Sequence, residues 1–198
     1  PGSFWADIGT PAQYVQAHRD AARRLGHAGE NFTLPAAAVL TPREQRLLSA
    51  VSGLQSTVSG LSPVEVLPPR GSNREFFRAT VGNKSAILIR WSPERADNRF
   101  YARHTRFLEA LGVPVPRLYL DAPRDRFLVI EDLGPATLEA RLPRLEPAEI
   151  RKIYRRLLDV ALRLHGAGLP AARRARLPLM RGFDAKLYVW EHNYFIDH

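Results

Sequence analysis

Cysteine is absent from the 198 residues, which removes disulfides, thiolate metal sites and cysteine nucleophiles together. With no disulfides to form, a cytoplasmic home is the expectation. No run of apolar residues approaches the roughly 18 needed to span a bilayer, so no membrane partner is expected. Pro1 to Thr10 have neither the basic start nor the apolar stretch of a signal peptide, and no Met opens them. They read as the interior of a longer protein, and the chain is expected to be a fragment. Lysine is scarce: Lys84, Lys152 and Lys186 stand among 29 basic residues, so nearly all the positive charge is arginine.

What remains is an ordinary globular composition, 45% hydrophobic and 25% charged, in a length that suits one domain or one domain and part of another. The net charge of +9 raises the question of nucleic acid, because clustered cations gain affinity for phosphate backbones by releasing counterions. Its distribution favours another reading. Between Arg141 and Arg181 the basic residues fall mostly on the outer face of a helix and in the loop after it, as on a solvated face, and no nucleic-acid partner is expected. The sequons Asn31-Phe32-Thr33 and Asn83-Lys84-Ser85 carry meaning only in a secreted protein and are read as chance.

Along the chain, Thr10-Pro11-Ala12-Gln13 supplies an N-cap, a first-turn proline and a third-position Gln, which predicts a helix from Pro11 to near Gly26. Residues 27–40 show no sustained period and read as a linker. Thr41-Pro42-Arg43-Glu44 repeats the capping-box chemistry, so a second helix and a new domain are expected to begin there. From Pro63 the period shortens to two. Val64 to Leu67, Glu75 to Val81 and Ala86 to Trp91 are β-rich runs separated by turn residues. Asp97 to Leu111 reads as a helix with Phe100, His104, Phe107, Leu108 and Leu111 on one stripe and Gly112 as its stop. Arg117 to Leu120 and Phe127 to Ile130 complete five strands. Beyond Gly134 the spacing is helical: Ile150, Ile153, Tyr154, Leu157, Leu158, Ala161 and Leu164 predict a buried amphipathic helix, and a last one starts at Asp184.

The expected fold class is therefore α+β: a five-stranded antiparallel sheet with one helix, preceded by a short helical segment and followed by further helices. Between the first two strands lies Arg70-Gly71-Ser72-Asn73-Arg74, a tight turn able to aim backbone N–H groups and the Ser72 hydroxyl at phosphate oxygens. It is neither a G-x-G-x-x-G loop nor a Walker A motif. The His-x-Asp triplet His18-Arg19-Asp20 lies inside a predicted helix and has Leu25 where a catalytic loop needs Asn, so it is a decoy.

Gly71-Ser72-Asn73-Arg74-Glu75-Phe76-Phe77-Arg78, Ala86 to Arg90, Leu111 to Pro116 and Leu128 to Gly134, taken in that order, resemble the protein-kinase-like small lobe of the aminoglycoside phosphotransferase family. More narrowly, they are similar to its anomeric kinases of N-acetylmuramate and N-acetylglucosamine, which serve cell-wall recycling. The resemblance covers about residue 61 to the end, with the small lobe at 61–133 and the start of a helical large lobe at 134–198. It implies ATP and Mg²⁺ as cofactors and a small-molecule sugar as substrate. It places Gly71, Ser72 and Asn73 on the ATP phosphates, with Arg74 in the same nucleotide-binding set, and Glu131, Asp132 and Leu133 at the adenine-contacting hinge. It puts Arg90 where most kinases carry a lysine, and His104 where the glutamate that pairs with that lysine is expected. The family's catalytic base and its metal ligand lie further downstream, so no catalytic residue is assigned and the chain alone is expected to be inactive. A noncatalytic nucleotide-binding module of the same fold is the alternative.

Phe4-Trp5-Ala6-Asp7-Ile8-Gly9-Thr10-Pro11, followed by Tyr14, separately resembles the end of the catalytic domain of sugar-phosphate nucleotidylyltransferases. That resemblance implies a Mg²⁺-binding role for Asp7 and a remnant of such a domain at residues 1–26. The combined expectation is a nucleotidylyltransferase end, a linker at 27–40, and a phosphotransferase domain at 41–198.

Overall fold

The computed structural model describes residues 11–24, 32–51, 63–68, 74–81, 84–179, 182 and 184–197. The chain begins with α1 (Pro11–Arg24), β1 (Phe32–Leu34), α2 (Ala36–Val39) and α3 (Pro42–Ser49). Then come β2 (Val64–Val66), β3 (Arg74–Val81), β4 (Lys84–Trp91), α4 (Tyr101–Ala110), β5 (Leu118–Ala122) and β6 (Phe127–Glu131). The helical remainder comprises α5 (Leu138–Arg141), α6 (Pro147–Arg163), α7 (Leu169–Arg174) and α8 (Ala185–Asp197).

Every strand pairing is antiparallel, and the order across the sheet is β1-β2-β3-β4-β6-β5. The five strands expected from the sequence stand within a few residues of their expected bounds. The sixth, β1, corrects the strand count. Its three residues pair with β2, Phe32 opposite Val66 and Leu34 opposite Val64. A three-residue strand and a four-residue helix are too short to leave a period, which is why residues 32–40 resembled a linker. They are instead part of the core: Leu34, Ala36, Val39 and Leu40 are buried with Val15 of α1 and Val64, Phe77 and Leu88 of the sheet. Residues 27–31 lie outside the described residues.

Side chains alternate between the two faces of a strand. Val64, Val66, Phe77, Ala79, Ala86, Leu88, Phe127 and Val129 point to the face covered by α1, α2 and α3. Phe76, Ile87, Ile89, Leu128 and Ile130 point to the other, where Tyr101 and Ala102 of α4 pack. Both faces are apolar because both are covered. α4 ends at a left-handed Gly112 (φ 75°), with Gly112 N–H donating to Glu109 O at 2.8 Å and Val113 N–H to Leu108 O at 2.9 Å. This is the glycine stop read from the sequence.

α6 starts on Pro147 behind a Glu146/Glu149 capping box and runs through a widened π turn, Leu164–Gly168, into α7. The wide turn stands just ahead of Pro170, which has no N–H to give to a regular helix. One sequence expectation fails here. α6 was expected to be buried, yet its apolar stripe is only partly covered: Ile150, Ile153, Ala161 and Leu164 are half-buried, while Tyr154, Leu157 and Leu158 are at least half exposed. The 3.6-residue period fixes that a stripe exists, and how far it is covered depends on which elements meet it.

Candidate functional site

A cleft of about 390 Å³ opens on the α4 face of the sheet, toward the end of the strands where β6 leaves it. Leu67 and Pro68 follow β2, Phe76 and Arg78 come from β3, Ile87 from β4 and Ile130 from β6. Glu131, Asp132, Leu133 and Gly134 form its rim. Apolar walls with a few polar groups at one edge are what a flat aromatic ligand requires, and the volume falls in the usual range for small-molecule sites.

The rim is held by a carboxylate. Asp132 Oδ2 accepts from Arg78 Nε at 2.7 Å and from the Ser85 hydroxyl at 2.6 Å, and its Oδ1 accepts from Gly134 N–H at 2.9 Å. Arg78 in turn donates to Glu65 Oε2 at 2.7 Å. Burial pushes the Asp132 carboxyl up, but the bonds from Arg78, Ser85 and Gly134 outweigh it, and the group ends below its ordinary value. The bond to Asp132, aided by Glu65, holds the Arg78 guanidinium above its own. Glu131 closes the other side: its N–H donates to Arg117 O at 2.8 Å, and its carboxylate accepts from Arg117 N–H at 3.0 Å. Both acidic side chains named from the sequence are therefore consumed in shaping the segment. Leu133 differs. It is 71% exposed, and among the described residues its backbone N–H and C=O have no hydrogen-bond partner. A donor and an acceptor one residue wide thus stand at the mouth of an apolar slot.

Arg90 is elsewhere. It shares its face with Leu88 and Ala86 and points toward α2 and α3, away from the cleft. Its Nε and Nη2 donate to the two Glu44 oxygens at 2.8 Å each, Nη1 donates to Glu75 Oε2 at 3.0 Å, and Nη2 also donates to Val39 O at 2.9 Å. Burial lowers the Arg90 pKa, and the two carboxylates more than restore it. Glu44 shows the mirror case: burial raises it, while Arg90 and Thr41 bring it below the ordinary value. The structure does not bring Arg90 to Glu131, Asp132 and Leu133. Its glutamate partner comes from α3, between β1 and β2, through a residue that also closes the Thr41 capping box.

A model of the phosphotransferase enzyme family, the aminoglycoside phosphotransferase type, matches residues 64–194, which include every strand lining the cleft. The chain belongs to this family. It is 28% identical over 102 residues to an N-acetylmuramate/N-acetylglucosamine kinase of Pseudomonas aeruginosa. That alignment takes in 50% of this chain and 29% of the kinase's own length. No solved structure matches the chain.

Within this phosphotransferase-family sheet, the cleft-facing position two residues beyond Ile87 is Ile89, buried against α4, not a cation. His104, where a glutamate was expected, has Nδ1 2.9 Å from Phe100 O and Nε2 2.9 Å from Pro178 O, and so sits between α4 and the segment after α7. Arg103 does the same through Ala175 O and Arg176 O, and Arg163 bonds Gly112 O. The stripe read on this helix therefore faces the helical part, while Ala102 and Thr105 are its buried residues. Arg74 lies on the cleft face of β3, its Nε donating to Asn98 Oδ1 at 2.7 Å. Gly71, Ser72, Asn73 and Asp7 lie outside the described residues. Among the described residues no group of three His, Asp or Glu could hold a metal ion.

Arg78 and Ser85 are the residues of the cleft and its brace that the sequence reading missed. Arg78 carried a signal: it sits between Phe77 and Ala79 in a strand, and a polar side chain in an apolar run needs a partner. Nothing in the sequence named Asp132 as that partner.

Proposed function

We propose that the cleft holds the adenine of ATP and that this chain supplies the nucleotide-holding lobe of an ATP-dependent sugar or amino-sugar kinase. The single observation that carries the reading is Leu133. Its backbone donor and acceptor have no partner among the described residues, at the lip of a slot walled by Leu67, Phe76, Ile87 and Ile130, and a purine edge offers one acceptor and one donor in return. An unpaired peptide group beside an apolar wall is costly to dehydrate unless the ligand completes it. Family membership and the similar kinase support the same direction.

ATP fits the residues present. Mg²⁺ would ride on its phosphates, since the described residues offer no carboxylate set for it. The chemistry asked of the protein is positioning and charge stabilisation of the transferring phosphoryl group, with little covalent work. The likeness of residues 1–26 to a nucleotidylyltransferase end supports a fused protein: the kinase makes a sugar 1-phosphate, which the second activity converts to a nucleotide sugar in cell-wall sugar recycling.

Equilibrium dialysis of the chain with labelled adenosine and ATP tests the cleft. Binding of both is expected, with a loss of at least tenfold for Ile87→Trp, whose indole fills the slot. Absence of binding by either ligand, or indifference to Ile87→Trp, refutes the reading. The buried Ile89 at the cleft-facing position favours a second reading, a module that binds nucleotide without transferring phosphate. ATP consumption by the full-length protein across a panel of amino sugars separates the two.

A further inference from the structure

We infer that Arg19 of α1 is a positioning residue for the cleft: reaching from the opposite face of the sheet, it fixes the Leu67–Pro68 wall by its bond to Leu67 O. This role rests on the nucleotide reading above and adds to it a support from outside the family match, which begins at residue 64.

The wall needs such a support. Leu67 N–H donates to Phe76 O at 2.9 Å, one step past the pairing of Val66 with Phe77. The next two residues are Pro68 and Pro69, which have no N–H, so neither can donate a further ladder bond to β3. Leu67 and Pro68 nevertheless line the slot. The Leu67 carbonyl is held from α1, where Arg19 Nη2 donates to it at 3.2 Å.

This placement of a cation is costly. Arg19 is 9% exposed, one helical turn from the fully buried Val15, and its Nε is buried without a hydrogen-bond partner among the described residues. Burial lowers its pKa, with Glu75 opposing the fall and Arg23 adding to it. Its ion pair is long: Nη1 stands 3.7 Å from Glu75 Oε1, and Glu75 already pairs with Arg90 through Oε2 at 3.0 Å. An apolar side chain would fill the space beside Val15 without dehydrating a charge. What the apolar side chain cannot supply is a donor to Leu67 O, the one peptide oxygen that ties the wall to α1.

Calorimetry with adenosine on the wild-type chain, Arg19→Gln, Arg19→Lys and Val15→Ala, beside a urea unfolding curve of each, tests the role. Arg19→Gln is expected to lose five- to tenfold in affinity, and Arg19→Lys, which keeps a long donor, only two- to threefold. Val15→Ala, which loosens α1 without touching Leu67 O, is expected to lower the unfolding midpoint and leave affinity unchanged. A merely structural Arg19 would behave like Val15→Ala. If wild type binds adenosine and Arg19→Gln binds it equally, or Val15→Ala loses as much affinity as Arg19→Gln, the inference is overturned while the nucleotide reading stands. Should Arg19→Gln fail to fold, Arg19→Lys decides by the same comparison. If wild type does not bind, both fall.

Discussion

Removing the charge of Glu44 while keeping its shape should destabilise the chain by about 2–3 kcal/mol. Breaking a buried ion pair by removing one partner usually costs about 3–5 kcal/mol, because the other charge is left in a low-dielectric site. Here the pair is well buried, with side-chain exposures of 16% for Arg90 and 6% for Glu44. Two features pull the value down: Arg90 keeps Glu75 and Val39 O, and a glutamine at position 44 can still close the capping box. What Glu44→Gln loses is one of the two charge-assisted bonds to Arg90, each worth about 1.5–3 kcal/mol, and in its place an amide donor faces a guanidinium donor. The assay is urea unfolding of wild type, Glu44→Gln, Arg90→Met and the double variant, analysed as a cycle. A coupling of about 2 kcal/mol is expected. A coupling below about 0.5 kcal/mol, the spread of ordinary surface substitutions, would show that the pair does not tie α3 to β4 and would refute the reasoning.

Asp132→Asn should cost about 1.5–3 kcal/mol and weaken adenosine binding together with stability, since Asp132 braces the rim through Arg78, Ser85 and Gly134; thermal melting and dialysis on one preparation check it. Leu133→Pro, which deletes the unpartnered N–H, should lower adenosine affinity at least tenfold, and unchanged affinity would count against a hinge contact there. The folded-state pKa values of Glu44 and Asp132 both lie below their ordinary values, so both groups stabilise the fold above about pH 4.3, and that stability is lost as pH falls through the folded values. An acid titration followed by circular dichroism should therefore show an unfolding limb below about pH 4.3 that is shallower in Glu44→Gln. Leu162→Glu, at an exposed apolar position of α6, should change stability by no more than about 0.5 kcal/mol and reduce self-association measured by light scattering.

Strand and helix placement was legible because it depends on short-range pattern. The β-rich run Ala86 to Trp91 and the Gly112 stop each act within a few residues, and β4 and α4 stand nearly where those signals put them. The rim was legible as a segment, Glu131 to Leu133, through the family resemblance. Its chemistry was not. Asp132 reads as an exposed acid after an apolar run, and only its meeting with Arg78, 54 residues earlier in the chain, and Ser85 turns it into a brace. β1 and α2 escaped notice for a different reason: elements of three and four residues have no period to detect, and tertiary packing alone makes them part of the core.

Arg90 marks the boundary most clearly. Alternation along its strand already determines that it shares a face with Ala86 and Leu88 and opposes Ile87 and Ile89. Both faces are apolar, however, so the pattern carries no mark of which one bears a cleft. That was decided when α1, α2 and α3 closed over one side and left the other to α4 and the open slot, turning Arg90 toward Glu44 and leaving Arg74 on the side of the slot. The sequence alone set the faces of each strand, because they follow from the two-residue repeat of the backbone. Which face works as a site depends on where distant helices find apolar surface to bury, a property of the assembled chain.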